Sequence, residues 1–174
     1  PEGFDIPFES EQIHGISTAL STKEGSSINA ILADFNAALA KSKYIIGHNV
    51  KFDVNIIGSE LDRLGLDTSV TTTPILDTCT EHTATLCQIP GGRGGRFKLP
   101  TLSELYKQLF DDSFDQAHNA TADVEATARA FFELLRRNKF PANQITDGEL
   151  LVSRLNETFE EAVPLIGLSH TDLK

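Results

Sequence analysis

Apolar residues recur every three or four positions along much of this chain, the spacing that places side chains on one face of an α-helix. Residues 26–41, 50–64, 102–110 and 122–137 follow this pattern, and residues 79–88 and 147–162 are predicted as further helices. Residues 1–12 are predicted to be extended and then to turn, because Pro1, Gly3 and Pro7 do not suit a helix interior. The pattern therefore predicts six helices.

Two short apolar runs interrupt the helical pattern. Residues 43–47 and 74–78 contain β-branched side chains and are bounded by turn residues, so they are predicted as short strands. Four glycines in residues 89–98 predict an irregular loop. Because strands alternate with helices, the chain is predicted to be an α/β domain.

Composition and charge narrow the classes of function. The net charge of −10 disfavours a protein that binds duplex DNA over its whole surface. It is compatible with a nuclease, because carboxylates that hold divalent metal ions are part of that chemistry. No apolar run is long enough for a membrane span and no signal peptide is recognisable, so we expect a cytoplasmic protein with no membrane partner. Since the chain opens at Pro1 and contains no Met, it is expected to be part of a longer gene product.

The two cysteines are expected to occupy core positions. Cys79 and Cys87 lie eight residues apart in a predicted helix, too far for a disulfide. With His82 between them they offer three zinc ligands, but one such cluster is a weak signal for zinc. Free, buried cysteines are the favoured interpretation, and they agree with a reducing compartment.

The first group of candidate functional residues follows the strand predicted at residues 43–47. Asn49 and Asp53, four positions apart at the start of the next helix, are expected to share a face. The end of a buried strand is where α/β folds place ligands, and a carboxylate there suits Mg²⁺ or Mn²⁺. The alternative is structural: Asn49 caps the helix and Asp53 interacts favourably with its dipole.

The second group precedes the last long helix of the domain. Thr121 is a predicted N-cap, which places Asp123 in the first turn and His118 in the preceding loop. A loop histidine can take a proton from an attacking water while a nearby carboxylate holds a metal. Alternatively, Asp123 serves the helix dipole and His118 is a surface residue.

Taken together and in this order, the two groups resemble the second and third motifs of the DnaQ-like (DEDDh) exonuclease family. Residues 13–16 and residues 76–78 resemble two further segments of that family, so the resemblance covers residues 1–137. Residues 75–81, the glycine-rich residues 90–98 and residues 98–102 resemble the exonuclease region attached to bacterial DNA polymerase III.

The resemblance implies an RNase H-like fold, with a mixed sheet flanked by helices in residues 1–140 and a helical connector toward a following domain in residues 141–174. It implies 3′→5′ hydrolysis of a single-stranded or frayed DNA end during proofreading, with release of nucleoside 5′-monophosphates. The family uses two Mg²⁺ or Mn²⁺ ions. By this resemblance the metal ligands are Asp53 and Asp123, the general base is His118, Asp77 supports the site from behind these ligands, and the substrate-binding residues are His14, Gly15, Asn49 and Phe52. From the residues alone, His14 and Gly15 could equally form a tight turn packed on the core, and Phe52 could be a core residue of its helix.

One departure from the family pattern is important. The first motif, Asp-x-Glu on the opening strand, has no counterpart near the start of this chain. The resemblance places it, with the opening strands, upstream of Pro1. We therefore expect that residues 1–174 alone lack activity and that the strand at residues 43–47 exposes an unpaired edge.

Other interpretations remain open from the sequence. Arg93, Arg96 and Lys98 make the glycine-rich loop locally cationic, so it could guide phosphates, contact the polymerase or simply be solvated. The same fold could trim RNA 3′ ends. The chain could also be a non-catalytic scaffold for a polymerase.

Overall fold

The computed structural model describes residues 3–114, 119–137 and 139–140. In these ranges the chain forms an α/β structure whose helices and strands are α1 Phe8–His14, α2 Thr18–Glu24, α3 Ile28–Leu39, β1 Ile45–Gly47, α4 Lys51–Arg63, β2 Ile75–Asp77, α5 Glu81–Cys87, α6 Leu102–Phe110 and α7 Ala120–Arg136. Single 3₁₀ turns occupy Ser69–Thr71 and Arg93–Gly95. The helix predicted at residues 147–162 lies outside the described residues.

The chain is divided into two compact units. One comprises Pro1–Lys43 and Val54–Thr73, and the other comprises Tyr44–Asp53 and Pro74–Lys174. The first unit contains helices α1 to α3. The second contains both strands and helices α5 to α7, and with them most of the candidate functional residues.

The opening residues of the first unit differ from the prediction. Residues 1–12 were expected to be extended and then to turn, but α1 begins at Phe8. Pro7 precedes the first helical residue, a position where the missing N–H of proline costs nothing. Gly15 closes the helix in the left-handed conformation, with φ 74°.

Helix α2 was also not predicted, although its cap is recognisable. The side chain of Ser17 accepts a hydrogen bond from the backbone N–H of Leu20 at 3.0 Å. Helix α3 lies within the predicted residues 26–41, and Ser27 caps it by accepting from the N–H of Ala30. Serine caps therefore start both helices.

Helix α4 is confirmed within residues 50–64, but only some of its regularly spaced apolar residues are buried. The buried residues are Val54, Gly58 and Leu61, whereas Phe52 and Ile56 are exposed. Glycine suits position 58, because a Cβ there would lie in tight contact, 3.0 Å from Cγ2 of Thr71. A small residue, which hydrophobic spacing ignores, therefore helps to decide which side of α4 packs inward.

The sheet of the second unit, within the described residues, has two parallel strands in register. Ile45 pairs with Ile75, Ile46 with Leu76, and Gly47 with Asp77. Helix α7 packs against the sheet, where Leu76 forms a buried cluster with Phe131 and Leu135. Because the strands are parallel, both carboxyl ends lie at the same edge of the sheet.

Helices α5, α6 and α7 enclose a second buried cluster. Its members are Leu105, Leu109, Ala130 and Leu134, and Cys87 packs against it. Both cysteines are free and half-buried. The prediction of a common helix for them was wrong, because α5 begins only at Glu81 and leaves Cys79 in the preceding turn.

The glycine-rich loop is folded back on itself. The N–H of Lys98 donates to the carbonyl of Ile89 at 2.8 Å. A Cβ on Gly92 would lie 2.3 Å from the carbonyl oxygen of Phe97, so only glycine fits there. Apart from the 3₁₀ turn at Arg93–Gly95, the loop is irregular, as predicted. In the described part of the chain, no helix has the length and apolar character to cross a membrane.

Candidate functional site

The turn between β1 and α4 is held by a carboxylate from the neighbouring strand. Oδ1 of Asp77 accepts the backbone N–H of Asn49 at 2.8 Å, and Oδ2 accepts that of Val50 at 3.1 Å. Oδ1 also accepts the N–H of Cys79 at 2.8 Å. The register explains this contact, because Asp77 pairs with Gly47, the last residue before the turn. Asp77 thus supports the chain that leads to Asp53.

The same turn requires unusual backbone at Asn49. Its φ is 60°, a left-handed conformation that asparagine tolerates better than most residues. Gly47 allows the chain to double back, since a Cβ there would lie 2.6 Å from Cβ of Val50. Asn49 therefore precedes the helix, and the expectation that it shares a helical face with Asp53 was wrong.

Asp53 lies in the first turn of α4, as predicted, and is exposed. Among the described residues, its carboxylate has no hydrogen-bond or ion-pair partner. Beside it, Phe52 is 62% exposed. Among the described residues, the unpaired carboxylate of Asp53 and the exposed ring of Phe52 therefore lie side by side, directly after a turn that Asp77 holds by hydrogen bonds.

The ring of His48 makes two long-range contacts that the sequence analysis did not foresee. Nδ1 lies 2.9 Å from Oγ1 of Thr78, and Nε2 lies 3.0 Å from the carbonyl oxygen of Pro100. Burial lowers the pKa of His48, although its hydrogen bond to the Pro100 carbonyl and the charge of Asp77 act in the opposite direction. The one available signal was the position of His48 directly after a strand.

The start of α7 differs from the prediction in its cap. The side-chain oxygen of Asn119, not Thr121, accepts the N–H groups of Thr121 and Ala122, at 3.0 and 3.4 Å. Asn119 competes well with threonine as a cap, and the helix starts one or two residues earlier as a result. Asp123 nevertheless lies in the first turn, as expected, and is half-buried. His118 lies outside the described residues.

His14 and Gly15 lie in the first unit, at the end of α1. Both are exposed, and Nδ1 of His14 accepts the backbone N–H of Ile16 at 3.1 Å. The left-handed φ of 74° explains the glycine at position 15 without reference to a ligand. The tight turn considered from the sequence is therefore present, but it is not packed into a core.

Two of the three cations of the glycine-rich loop are paired within the second unit. Arg96 forms an ion pair with Glu81, and Nζ of Lys98 lies 2.7 Å from Oε1 of Glu104. The hydrogen bond from Lys98 lowers the pKa of Glu104, which also caps α6. Arg93 is exposed. Much of the cationic character of the loop is thus neutralised locally.

The charge of Asp77 also affects the pKa of the Cys79 thiol. Burial, with a smaller contribution from Asp77, raises the pKa of Cys79 to about 11. Sγ of Cys79 lies 3.6 Å from the carbonyl oxygen of Pro100. Cys79 is therefore a protonated thiol at neutral pH and a poor nucleophile or metal ligand.

The fit to a metal can be judged from the ligands that the described residues offer. Aspartate carboxylates such as Asp53 and Asp123 are the hard oxygen ligands that Mg²⁺ and Mn²⁺ prefer. Within the described ranges, however, no three histidine, cysteine, aspartate or glutamate side chains lie close enough to hold a metal ion. The weak zinc alternative for Cys79, His82 and Cys87 thus gains no support.

Comparison with known proteins identifies the family of this chain. Residues 1–131 match the family model described as Exonuclease (RNase_T). The chain is 30% identical over 131 residues to the DNA polymerase III subunit epsilon of Rickettsia conorii, which covers 75% of this chain and 54% of that protein. The epsilon subunit of Rickettsia typhi is 31% identical over 130 residues, covering 75% and 53%.

A relative of a different kind is the PolC-type DNA polymerase III of Caldanaerobacter subterraneus, 31% identical over 134 residues, or 76% of this chain and 9% of that protein. The chain spans about half the length of the epsilon subunits that it matches. Exonucleases of this family have an RNase H-like fold and generally use divalent metal ions. The family match over residues 1–131, together with these relatives, shows that this chain belongs to the exonuclease family and forms a DnaQ-like exonuclease region.

Proposed function

We propose that this chain is the exonuclease region of a DNA polymerase III and that it removes nucleotides from the 3′ end of single-stranded or frayed DNA during proofreading. The observation that carries the proposal is the exposed Asp53, presented on a turn that Asp77 fixes, in a chain whose residues 1–131 match the exonuclease family. The DNA substrate and the polymerase partner are inferred from relatives that are named DNA polymerase III subunits.

The proposed roles follow the DEDDh pattern. Asp53 and Asp123 are the residues that would hold Mg²⁺ or Mn²⁺, and His118 would take the proton from the attacking water. Two such ions, when bound, supply activation of water and stabilisation of the leaving oxygen. The products would be nucleoside 5′-monophosphates.

The remaining residues would bind or support the substrate. Phe52 would stack on a terminal base, and the exposure of its ring beside Asp53 supports this role. Asn49 supplies the left-handed turn before Asp53, and His14 and Gly15 are proposed to contact the terminal nucleotide by family resemblance alone. Asp77 acts behind Asp53 through backbone hydrogen bonds.

The family pattern of four carboxylates bears on activity and fold. Asp53 and Asp123 supply two, and residues 1–174 contain no match near their start to the Asp-x-Glu motif that supplies the others. We therefore expect residues 1–174 alone to hydrolyse DNA poorly or not at all. Residues 1–140 would form the exonuclease domain without its opening strands, with a mixed sheet flanked by helices, and residues 141–174 would be a helical connector toward the polymerase.

The direction and the substrate are tested with end-labelled oligonucleotides and Mn²⁺, using the protein at its full natural length. A 5′-labelled single strand should give a ladder of progressively shorter products, and a 3′-labelled strand should release labelled mononucleotide at once. An RNA strand of the same sequence should be cut more slowly. Faster cleavage of RNA would favour a 3′-end-trimming enzyme, and no cleavage of either would favour the non-catalytic scaffold.

A further inference from the structure

The β1–α4 turn is fixed from two sides, and only one of them involves Asp77. Asp77 binds the backbone of Asn49 and Val50. On the other side, the ring of His48 reaches across to Thr78, directly after β2, and to Pro100, directly before the N-cap of α6. His48 therefore joins three segments that are far apart in the sequence.

The partners of the ring bear on where its hydrogens lie. The carbonyl of Pro100 can only accept, so Nε2 of His48 carries a hydrogen. Thr78 is fully buried, and its Oγ1 lies 2.9 Å from Nδ1 of His48 and 3.1 Å from the carbonyl oxygen of Gly47. Because a hydroxyl has a single hydrogen, Thr78 donates to only one of these two atoms when the ring is neutral. Thr78 thus lies between the ring and the end of β1.

The position of His48 relates these bonds to Asp53. Asn49 follows His48 directly, has φ 60°, and its carbonyl accepts the N–H of Phe52 at 3.1 Å. If the backbone rotated at His48, the left-handed turn at Asn49 would move, and the first turn of α4 with Asp53 would move with it. Because partners behind a metal ligand fix its orientation, a loss of these bonds would misplace the carboxylate.

We propose that His48 is a positioning residue for Asp53: its bridge from Thr78 to Pro100 holds the β1–α4 turn so that the Asp53 carboxylate is oriented for metal binding. This inference rests on the proposed function of Asp53. It assigns to His48 no contact with the substrate or with the reacting atoms.

Substitutions separate the two bonds of the ring. His48→Gln places an amide nitrogen where Nε2 lies and keeps a donor for Pro100, whereas His48→Asn is too short to reach Pro100 and keeps only the contact with Thr78. His48→Ala removes both. His82→Ala is the matched control, because His82 is an exposed histidine on α5.

The experiment uses the protein at its full natural length. It measures the rate of 3′ hydrolysis of single-stranded DNA as a function of Mn²⁺ concentration, and it measures Mn²⁺ binding without DNA by isothermal titration calorimetry. His48→Ala and His48→Asn should lower the rate and raise the half-saturating Mn²⁺ concentration, each by roughly 10- to 100-fold. His48→Gln should stay within about fivefold of the unsubstituted protein, the effect of one weakened hydrogen bond. His82→Ala should change neither quantity.

The Mn²⁺ dependence separates positioning from a general loss of folded protein when the thermal midpoint of the variant lies well above the assay temperature, because unfolding then does not compete with metal binding. If His48→Ala does not fold, as judged by its thermal midpoint, the His48→Gln and His48→Asn pair still decides. Equal effects of Gln and Asn, or an unchanged Mn²⁺ dependence in Asn, would overturn the proposal.

Asp53→Asn is measured in parallel. If it abolishes hydrolysis while the His48 variants behave like the unsubstituted protein, only the role of His48 is wrong. If Asp53→Asn leaves hydrolysis intact, the proposed function of Asp53 fails and the role of His48 falls with it.

Discussion

The carboxylate of Asp77, at the end of β2, accepts the backbone N–H of Asn49 at 2.8 Å, and Asn49 lies just after the neighbouring strand β1. The same carboxylate also accepts the backbone N–H groups of Val50 and Cys79, so it has three backbone donors in all. Such bonds to a charged group are stronger than neutral ones. The relationship joins the end of β2 to the turn that presents Asp53, so it supports the candidate site from inside the domain.

Asp77→Asn should therefore weaken both fold and site. The amide has one acceptor oxygen and turns an NH₂ group toward at least one backbone N–H, so a hydrogen bond to a charged acceptor is lost. We expect the free energy of unfolding to fall by about 1–3 kcal/mol. Urea denaturation measures this change. Asp67→Asn is the control, because Oδ1 of Asp67 accepts only the N–H of Ser69 among the described residues, a bond that asparagine also makes. Equal stability of the two variants would contradict the role of Asp77.

Phe52→Ala tests the exposed ring beside Asp53. Because the side chain is 62% exposed, its removal should cost little stability. Stacking of a base on an aromatic ring contributes about 1–3 kcal/mol, so we expect KM for a single-stranded 3′ end to rise about 5- to 150-fold. Steady-state kinetics on oligonucleotides measures this. Ile56→Ala, another exposed apolar residue of α4, should leave KM unchanged. A similar KM for Phe52→Ala and Ile56→Ala would exclude stacking by Phe52.

The buried His48 predicts a pH dependence of stability. Burial, opposed in part by the Pro100 carbonyl and the charge of Asp77, lowers the pKa of His48 below its ordinary value of 6.5. In the pH range between the folded pKa and 6.5 the unfolded chain binds more protons, so stability rises with pH there. The contribution is complete above the unfolded pKa and is lost as the pH falls through the folded pKa.

Urea unfolding at about pH 8 and about pH 5 measures this effect, because a histidine with an unperturbed pKa changes its charge between these values. The unsubstituted protein should lose more stability on acidification than His48→Gln, which has no group to titrate at this position. Identical losses in the two proteins would show that His48 titrates normally in the folded state.

Cys79 should be almost inert toward alkylation. Burial and the charge of Asp77 raise the pKa of its thiol to about 11, and the thiolate is the reactive form. In a Cys87→Ser variant, the rate of reaction with iodoacetamide should still be rising at pH 10 and should increase sharply in urea. A rate that levels off near pH 9 in the folded protein would contradict the raised pKa.

The sequence predicted the elements that repeat a hydrophobic pattern and missed those that depend on a single side chain. Helices α3, α6 and α7 and both strands lie where periodicity and β-branched residues placed them. Helices α1 and α2 were missed because they are short and bury no residue, so they leave no apolar stripe to detect. Their signals are local, Gly15 and the Ser17 cap.

In the candidate site, too, some features could be predicted from the sequence and others could not. Asp53 and Asp123 could be placed in first helical turns from spacing and capping rules alone. The hydrogen bonds of Asp77 to Asn49 and Val50 and those of His48 could not, because they join residues 27 to 52 positions apart and require the register of the sheet. Likewise, the sequence could not decide whether Phe52 is a core residue or exposed, because spacing cannot show which face of α4 meets a neighbour. The roles of these residues in catalysis stay predictions.

The assignment of Asp53 and Asp123 as metal ligands is decided by hydrolysis of a 5′-labelled single strand in Mn²⁺ by the protein at its full natural length. Asp53→Asn and Asp123→Asn should each lower the rate at least about 100-fold, beyond the usual effect of losing a supporting residue. His118→Ala should do the same. Asp62→Asn, on the exposed side of α4, is the matched control and should retain the full rate. If Asp53→Asn and Asp123→Asn both degrade the strand as fast as Asp62→Asn, neither carboxylate holds a catalytic metal and the proposed site is wrong.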